Sequence, residues 1–284
     1  MAVISRTTFR LMQLRNIHTP AVVAALALLA KLHLMLPKLI EAATFAGQSI
    51  LRFRGGMDLQ IQLKADQSPL TIADQTANDI IDKALKKLTP NIPIISEEST
   101  IPEYSVRKDW SQFWLVDPLD GTKEFISGGD DFTVNIALIE NGVPILGVVY
   151  IPATDVLYYG SREGGSFKWD RKSEKEPKKI TSTPVDLDQP LIVVESKSHK
   201  SSDMDHYLSS FKIKERIEIG SSIKFCLVAE GAAHIHPRFT ATSEWDTAAG
   251  DAIYRYSGVS KSRQSPLVYN KEDLRNPHYI IGIS

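Results

Sequence analysis

Trp114-Leu115-Val116-Asp117-Pro118-Leu119-Asp120-Gly121-Thr122-Lys123-Glu124-Phe125 is a β-rich run that breaks into a turn carrying two carboxylates three residues apart. Pro118 fixes its own φ, and Gly121 permits a backbone angle closed to other residues. Asp117, Asp120 and the carbonyl of Leu119 can therefore converge while Thr122 starts the next segment. Oxygen donors without nitrogen or sulfur suit a hard ion such as Mg²⁺. Taken alone, the turn is read equally well as an Asp-Pro turn with solvated acids.

Three other stretches carry chemistry with a plain structural alternative. Ser96-Glu97-Glu98-Ser99 follows a second strand-like run, and by itself gives two surface charges. Glu244-Trp245-Asp246-Thr247-Ala248-Ala249-Gly250 opens a helix, where Asp246 alone is a cap or first-turn acid favoured by the helix dipole. Thr71-Ile72-Ala73-Asp74 resembles a capping box with Asp in place of the usual Glu. Where Gly220-Ser221-Ser222 turns into a helix, backbone N–H groups, both hydroxyls and the Lys224 ammonium could receive a phosphate, or the serines could simply cap. His234, His236 and Trp245 are read as structural, and Cys226 as packed in a helix interior.

Periodicity orders the elements around these turns. Apolar spacing predicts a helix over 36–51, stopped by Gly55-Gly56, and another over 71–88, ended by Pro90. Short strands are expected at 92–96 and 113–116. Asn141-Gly142 joins strands 132–140 and 143–151 as a hairpin, followed by strands at 156–159 and 166–169. The charged run over 170–184 lacks apolar periodicity and reads as a surface excursion. Beyond it, strands at 191–194 and 217–219 alternate with helices at 204–211, 223–230 and 245–256, the pattern of a more parallel half.

The 284 residues carry a net charge of −1, which disfavours a nucleic-acid partner, and no stable partner protein is expected. The single cysteine excludes an intramolecular disulfide framework. No acid precedes Glu41, while Arg6, Arg10, Arg15, Lys31 and Lys38 lie before it. The apolar run at 21–30 is too short to cross a bilayer, and its basic lead-in loosely resembles a signal or transit peptide. The expected division is 1–34 as an N-terminal extension, outside the natural enzyme or a loose appendage. Residues 35–184 would form an N-terminal α+β metal-binding domain, and 185–284 a C-terminal α/β domain.

The acidic turns in this order resemble the lithium-sensitive, magnesium-dependent phosphatases of the inositol monophosphatase superfamily, and most closely its bacterial 3′(2′),5′-bisphosphate nucleotidases. Asp117-Pro118-Leu119-Asp120-Gly121-Thr122 is similar to the superfamily's metal-binding signature, and Trp245-Asp246-Thr247-Ala248-Ala249-Gly250 to its second signature. Lys123-Glu124-Phe125 and Gly220-Ser221-Ser222-Ile223-Lys224-Phe225-Cys226 resemble the nucleotidase branch. The resemblance implies a layered α-β-α-β-α fold of the α/β class, with an antiparallel N-terminal sheet and a smaller C-terminal α/β part. It implies two or three Mg²⁺ ions on Glu97, Asp117, the Leu119 carbonyl, Asp120 and Asp246, with Glu98 in support.

By the same resemblance, Asp74 and Thr122 position and activate the attacking water. Gly121, Thr122, Lys123, His199, Ser221, Ser222, Lys224, Arg238 and Asp246 contact the phosphorylated nucleotide. The implied reaction takes the 3′-phosphate from adenosine 3′,5′-bisphosphate, a by-product of sulfate assimilation, in the cytoplasm or peripherally on the cytoplasmic face of the inner membrane. An inositol or sugar phosphatase is the enzyme alternative. A nucleotide sensor without turnover is the alternative of another class, disfavoured by the complete acids and Thr122.

Overall fold

The computed structural model describes residues 20–54, 62–63, 69–198, 201–258 and 265–282. The chain divides into two compact units at Pro37 and Lys38. Helix α1 (Pro20–Arg52) begins well before the expected 36. Its early part is rich in Ala and Leu, which are strong helix formers, and Pro20 sits at the first helical position where its missing N–H costs nothing. Pro37, which lacks an N–H to donate, lies inside it rather than starting it. Among the described residues no helix is long and apolar enough to cross a membrane.

In the second unit, β1 (Gln62–Leu63) and β2 (Pro69–Leu70) precede α2 (Ile72–Leu88), β3 (Ile94–Ser96) and the one-turn α3 (Tyr104–Arg107). There follow β4 (Gln112–Asp120), α4 (Thr122–Ile126), β5 (Thr133–Glu140), β6 (Val143–Ile151), β7 (Val156–Ser161), β8 (Gly165–Asp170) and β9 (Lys178–Lys179). Strands β3 to β9 form one seven-stranded sheet in chain order, parallel at β3/β4 and antiparallel elsewhere. Asn141 and Gly142 both have positive φ, as the hairpin reading requires. The stretch read as a surface excursion holds exposed β9, but also buried Ile180 and Ser182.

The chain then runs through β10 (Leu191–Ser196), α5 (Ser202–Leu208), β11 (Ile213–Ile219), α6 (Ile223–Ala229), β12 (His236–Arg238), β13 (Thr242–Ser243), α7 (Glu244–Arg255), β14 (Arg275–Asn276) and β15 (Tyr279–Ile281). Strands β10 and β11 pair in parallel, and β12 pairs antiparallel with β15.

Both faces of the large sheet are apolar because both are covered. Phe113, Leu115, Ala137 and Val149 share one core with Phe225 of α6 and Ala248, Ala249 and Ile253 of α7. On the opposite face Trp114 and Tyr150 are buried. Trp114 Nε1 donates to Thr89 Oγ1 at the end of α2 at 2.9 Å, and Gly47 of α1 lies against the Tyr150 ring. Leu191 and Val193 of β10 pack with Met204 and Leu208 of α5. Within the second unit the order is thus residues 38–52 of α1 with α2, the seven-stranded sheet, α6 and α7, the small strands, then α5: a layered α-β-α-β-α architecture of the α/β class.

One close approach places the site. A Cβ added to Gly147 of β6 would lie 2.7 Å from the Ala252 Cβ, so glycine lets α7 settle directly on the sheet.

Candidate metal and phosphate site

The acidic turns meet because three chain breaks fall at one end of the sheet. The Glu97 N–H donates to Val116 O at 3.1 Å, which ties the end of β3 to β4 and sets Glu97 beside Asp117. The β4/β5 register then breaks between Asp117 and Asp120. In that bulge the Leu119 N–H donates to Asp117 Oδ1 at 3.0 Å. Gly121 has a φ of 93°, and a Cβ there would meet Asp131 O at 2.8 Å, so only glycine turns the chain into α4. The third break is the start of α7, which delivers Asp246.

One carboxylate oxygen from each of Glu97, Asp117 and Asp246 lies within 4.8 Å of the others. Three oxygen donors at this spacing, on rigid strand ends and a helix start, fit a hard divalent cation. The electrostatics agree. Burial holds Asp246 well above the usual carboxylate range, and the charges of Asp120 and Glu97 push it the same way. Asp120 is also raised by burial, against the opposing pull of Lys224. A bound cation would remove both penalties.

Asp74 and Asp246 each do two things. Both are the third residue of a helix closed by a capping box: Asp74 Oδ2 accepts from the Thr71 N–H at 2.7 Å, and Asp246 Oδ2 accepts from the Ser243 N–H at 2.8 Å. The second oxygen of Asp74 faces Thr122, whose Oγ1 lies 3.1 Å from Asp74 Oδ1 and 3.1 Å from Leu119 O. Cap and site are therefore not rival accounts of these acids.

Glu97, Asp117, Asp120, Gly121, Thr122 and Asp246 line a cavity of about 320 Å³, together with Leu119 and the cations Lys224 and Arg238. Both cations are buried. Lys224 Nζ donates to Ser221 O at 2.6 Å and Ile219 O at 3.3 Å, and burial lowers its pKa to about 8 against the attraction of Asp120. Arg238 Nε donates to Thr240 O at 3.2 Å.

Ser221 and Ser222 part company. Ser221 has a left-handed φ of 49°, and its Oγ is buried without a hydrogen-bond partner among the described residues. Ser222, by contrast, has its hydroxyl spent: Oγ donates to Asp246 O at 2.5 Å and accepts from Asn135 Nδ2 at 2.9 Å. Lys123 is exposed and sits among the lining residues, whereas half-buried Glu98 does not line the cavity. His199 lies outside the described residues.

Sequence reasoning passed over several lining residues, among them Glu124, His236, Trp245 and Tyr279. His236, read as structural, donates from Nδ1 to Val194 O at 3.0 Å, and burial holds its pKa well below the ordinary value. Asn135 was also missed, although an amide inside the buried run Val134-Asn135-Ile136-Ala137 is a visible signal. Cys226 is buried as expected, its thiol pushed up by desolvation.

The profile of the inositol monophosphatase family matches residues 31–278. The 3′(2′),5′-bisphosphate nucleotidase CysQ of Escherichia coli O157:H7 is 43% identical over 253 residues, 88% of this chain and 100% of that protein. The CysQ nucleotidase of Haemophilus influenzae is 33% identical over 244 residues, 82% of this chain and 90% of that protein. Among solved structures, CysQ from Bacteroides thetaiotaomicron matches with a TM-score of 0.71 at 40% identity, over 86% of this chain and 94% of that one. The inositol monophosphatase of Thermotoga maritima shares the fold at a TM-score of 0.64 and 22% identity, over 77% and 81% of the two chains. With its signature acids gathered in one cavity and the family profile spanning most of its length, the chain belongs to the inositol monophosphatase family.

Proposed function

We propose that this protein is a Mg²⁺-dependent 3′(2′),5′-bisphosphate nucleotidase that hydrolyses the 3′-phosphate of adenosine 3′,5′-bisphosphate to AMP and phosphate. The observation that carries the reading is one cavity lined both by the triad Glu97, Asp117 and Asp246 and by the buried cations Lys224 and Arg238. A substrate with two phosphates matches such a cavity, one group at the acids and one at the cations. The likeness to the CysQ nucleotidases at 43% identity supports the same choice.

Glu97, Asp117, Asp246, Asp120 and the Leu119 carbonyl would hold two or three Mg²⁺ ions, which when bound offset the carboxylate charge and polarise the phosphoryl group. The protein's own part is orientation. Thr122 Oγ1 has one hydrogen, which Asp74 Oδ1 and Leu119 O both stand 3.1 Å away to accept, and this leaves its lone pairs to accept from the attacking water. That hydrogen bond orients the water toward the phosphorus, and Asp74 fixes the rotamer that does so. Lys224, Arg238 and the Ser221 hydroxyl receive the 5′-phosphate. Removal of this nucleotide would serve sulfate assimilation, and Li⁺ would inhibit by taking a Mg²⁺ position.

The test compares phosphate release from adenosine 3′,5′-bisphosphate, inositol 1-phosphate and fructose 1,6-bisphosphate, with Mg²⁺ and then with Li⁺ added. Preference for the nucleotide is expected. Preference for inositol phosphate would replace the substrate assignment, and nucleotide binding without release would leave a sensor.

A further inference from the structure

Asn135 lies in β5, 1% exposed, in a strand whose buried side chains are mostly apolar. Its amide reaches two groups from different parts of the fold. Nδ2 donates to Ser222 Oγ at 2.9 Å and to Asp120 Oδ2 at 3.3 Å. The Ser222 N–H donates to the same Asp120 oxygen at 2.7 Å, and the Ser222 hydroxyl donates to Asp246 O at 2.5 Å.

The directions in this chain are forced. Asp246 O can only accept, so the Ser222 hydrogen points to it and Ser222 Oγ must accept from Asn135. The opposite amide orientation would set Asn135 Oδ1 against a carboxylate oxygen and an oxygen with no hydrogen left to give. Asn135 Oδ1, buried and without a hydrogen-bond partner among the described residues, is left over by this arrangement. An unmet buried acceptor is costly, and the strand keeps it for the sake of the two N–H bonds.

We infer that Asn135 is a positioning residue for the metal-binding acids: with Ser222 it forms a strut that clamps Asp120 Oδ2, reserves Oδ1 for the cation, and fixes the start of α7 that carries Asp246. The inference deepens the reading of the site and rests on it in one respect, that the acids hold a divalent cation. It makes no demand on which phosphate ester is cleaved.

The test reads cation binding directly. Tb³⁺ luminescence sensitised by Trp245, which lines the cavity, and its displacement by Mg²⁺ give affinities without turnover. Asn135→Leu removes both donors at similar volume, and Ser222→Ala removes the link to Asp246. Each is expected to weaken Tb³⁺ and Mg²⁺ binding about tenfold, the scale of one lost hydrogen bond to a charged group. The double variant should be no worse than the weaker single, because both break one strut. At saturating Mg²⁺ the substrate KM should stay within twofold of the parent.

Cation affinity changed less than threefold in Asn135→Leu, or single effects that multiply in the double variant, would overturn the strut. If Asn135→Leu fails to fold, Ser222→Ala decides by the same threshold. A parent protein that binds Tb³⁺ yet releases phosphate from no nucleotide would refute the proposed substrate and leave this inference standing.

Discussion

Thr122 and Asp74, 48 residues apart in the chain, are joined by a 3.1 Å hydrogen bond from Oγ1 to Oδ1, while the other oxygen of Asp74 closes the first turn of α2. One carboxylate thus spans two tasks, and substitutions separate them. Thr122→Val should lower kcat roughly 10²-fold or more, because the attacking water loses the oxygen that orients it, with little change in thermal stability, and Thr122→Ser should recover most of the rate. Asp74→Asn should lose comparable activity and in addition about 1 kcal/mol of stability from the weakened cap. Phosphate release and urea unfolding on the same samples distinguish the two patterns.

Asp120→Asn is expected to reduce kcat by about 10²-fold or more while the fold survives, since an amide oxygen can still accept from the Ser222 N–H. Wild-type turnover in this variant would contradict the ligand assignment.

Metal removal has a definite sign. Burial raises the Asp246 carboxyl above its unfolded value, so without a cation the protein loses stability as pH rises through that folded pKa, and at neutral pH the penalty stands. Mg²⁺ should therefore raise the melting temperature in EDTA-stripped protein by several degrees. Asp246→Asn should melt at or above the stripped parent and respond little to Mg²⁺, as scanning calorimetry would show.

Lys224 supplies the pH dependence. With its pKa lowered to about 8, it is an ammonium below that pH and a neutral amine above it. Attraction for the second phosphate is thus full below pH 8 and fades above. The profile of kcat/KM, which reports the free enzyme, should fall above pH 8, and Lys224→Met should give low values without that break.

Gly147→Ala tests the seat of α7 at a distance from the chemistry. The added methyl meets Ala252, so a cost of about 1–3 kcal/mol is expected together with reduced activity, because the helix that must shift carries Asp246. Full activity at unchanged stability would show that α7 has room to spare.

Much of this site was legible in the sequence, for a physical reason. The turn at 117–122 announces itself through Pro118 and Gly121, whose backbone constraints are local, and the observed bulge and left-handed glycine follow from them. The hairpin at Asn141-Gly142 was legible for the same cause. What escaped depends on partners far along the chain. The pairing of β12 with β15 joins segments more than forty residues apart and brings His236 and Tyr279 to the cavity, and no local pattern signals it. A helix start offers Ser222 as a phosphate contact or a cap, and no local pattern signals that its hydroxyl bonds Asn135 and Asp246. The start of α1 at Pro20 was missed because Pro37 reads as a beginning and the earlier apolar run as a leader.

The double duty of Asp74 bears on how inactive descendants of such a chain would look. A copy released from selection for turnover would still be held to Asp74 by its helix cap, so retention of that aspartate says little about whether it works. Thr122 caps no helix in this way, and drift should erase it first. In any newly read sequence of this kind, that single hydroxyl is the position to inspect before believing in an enzyme.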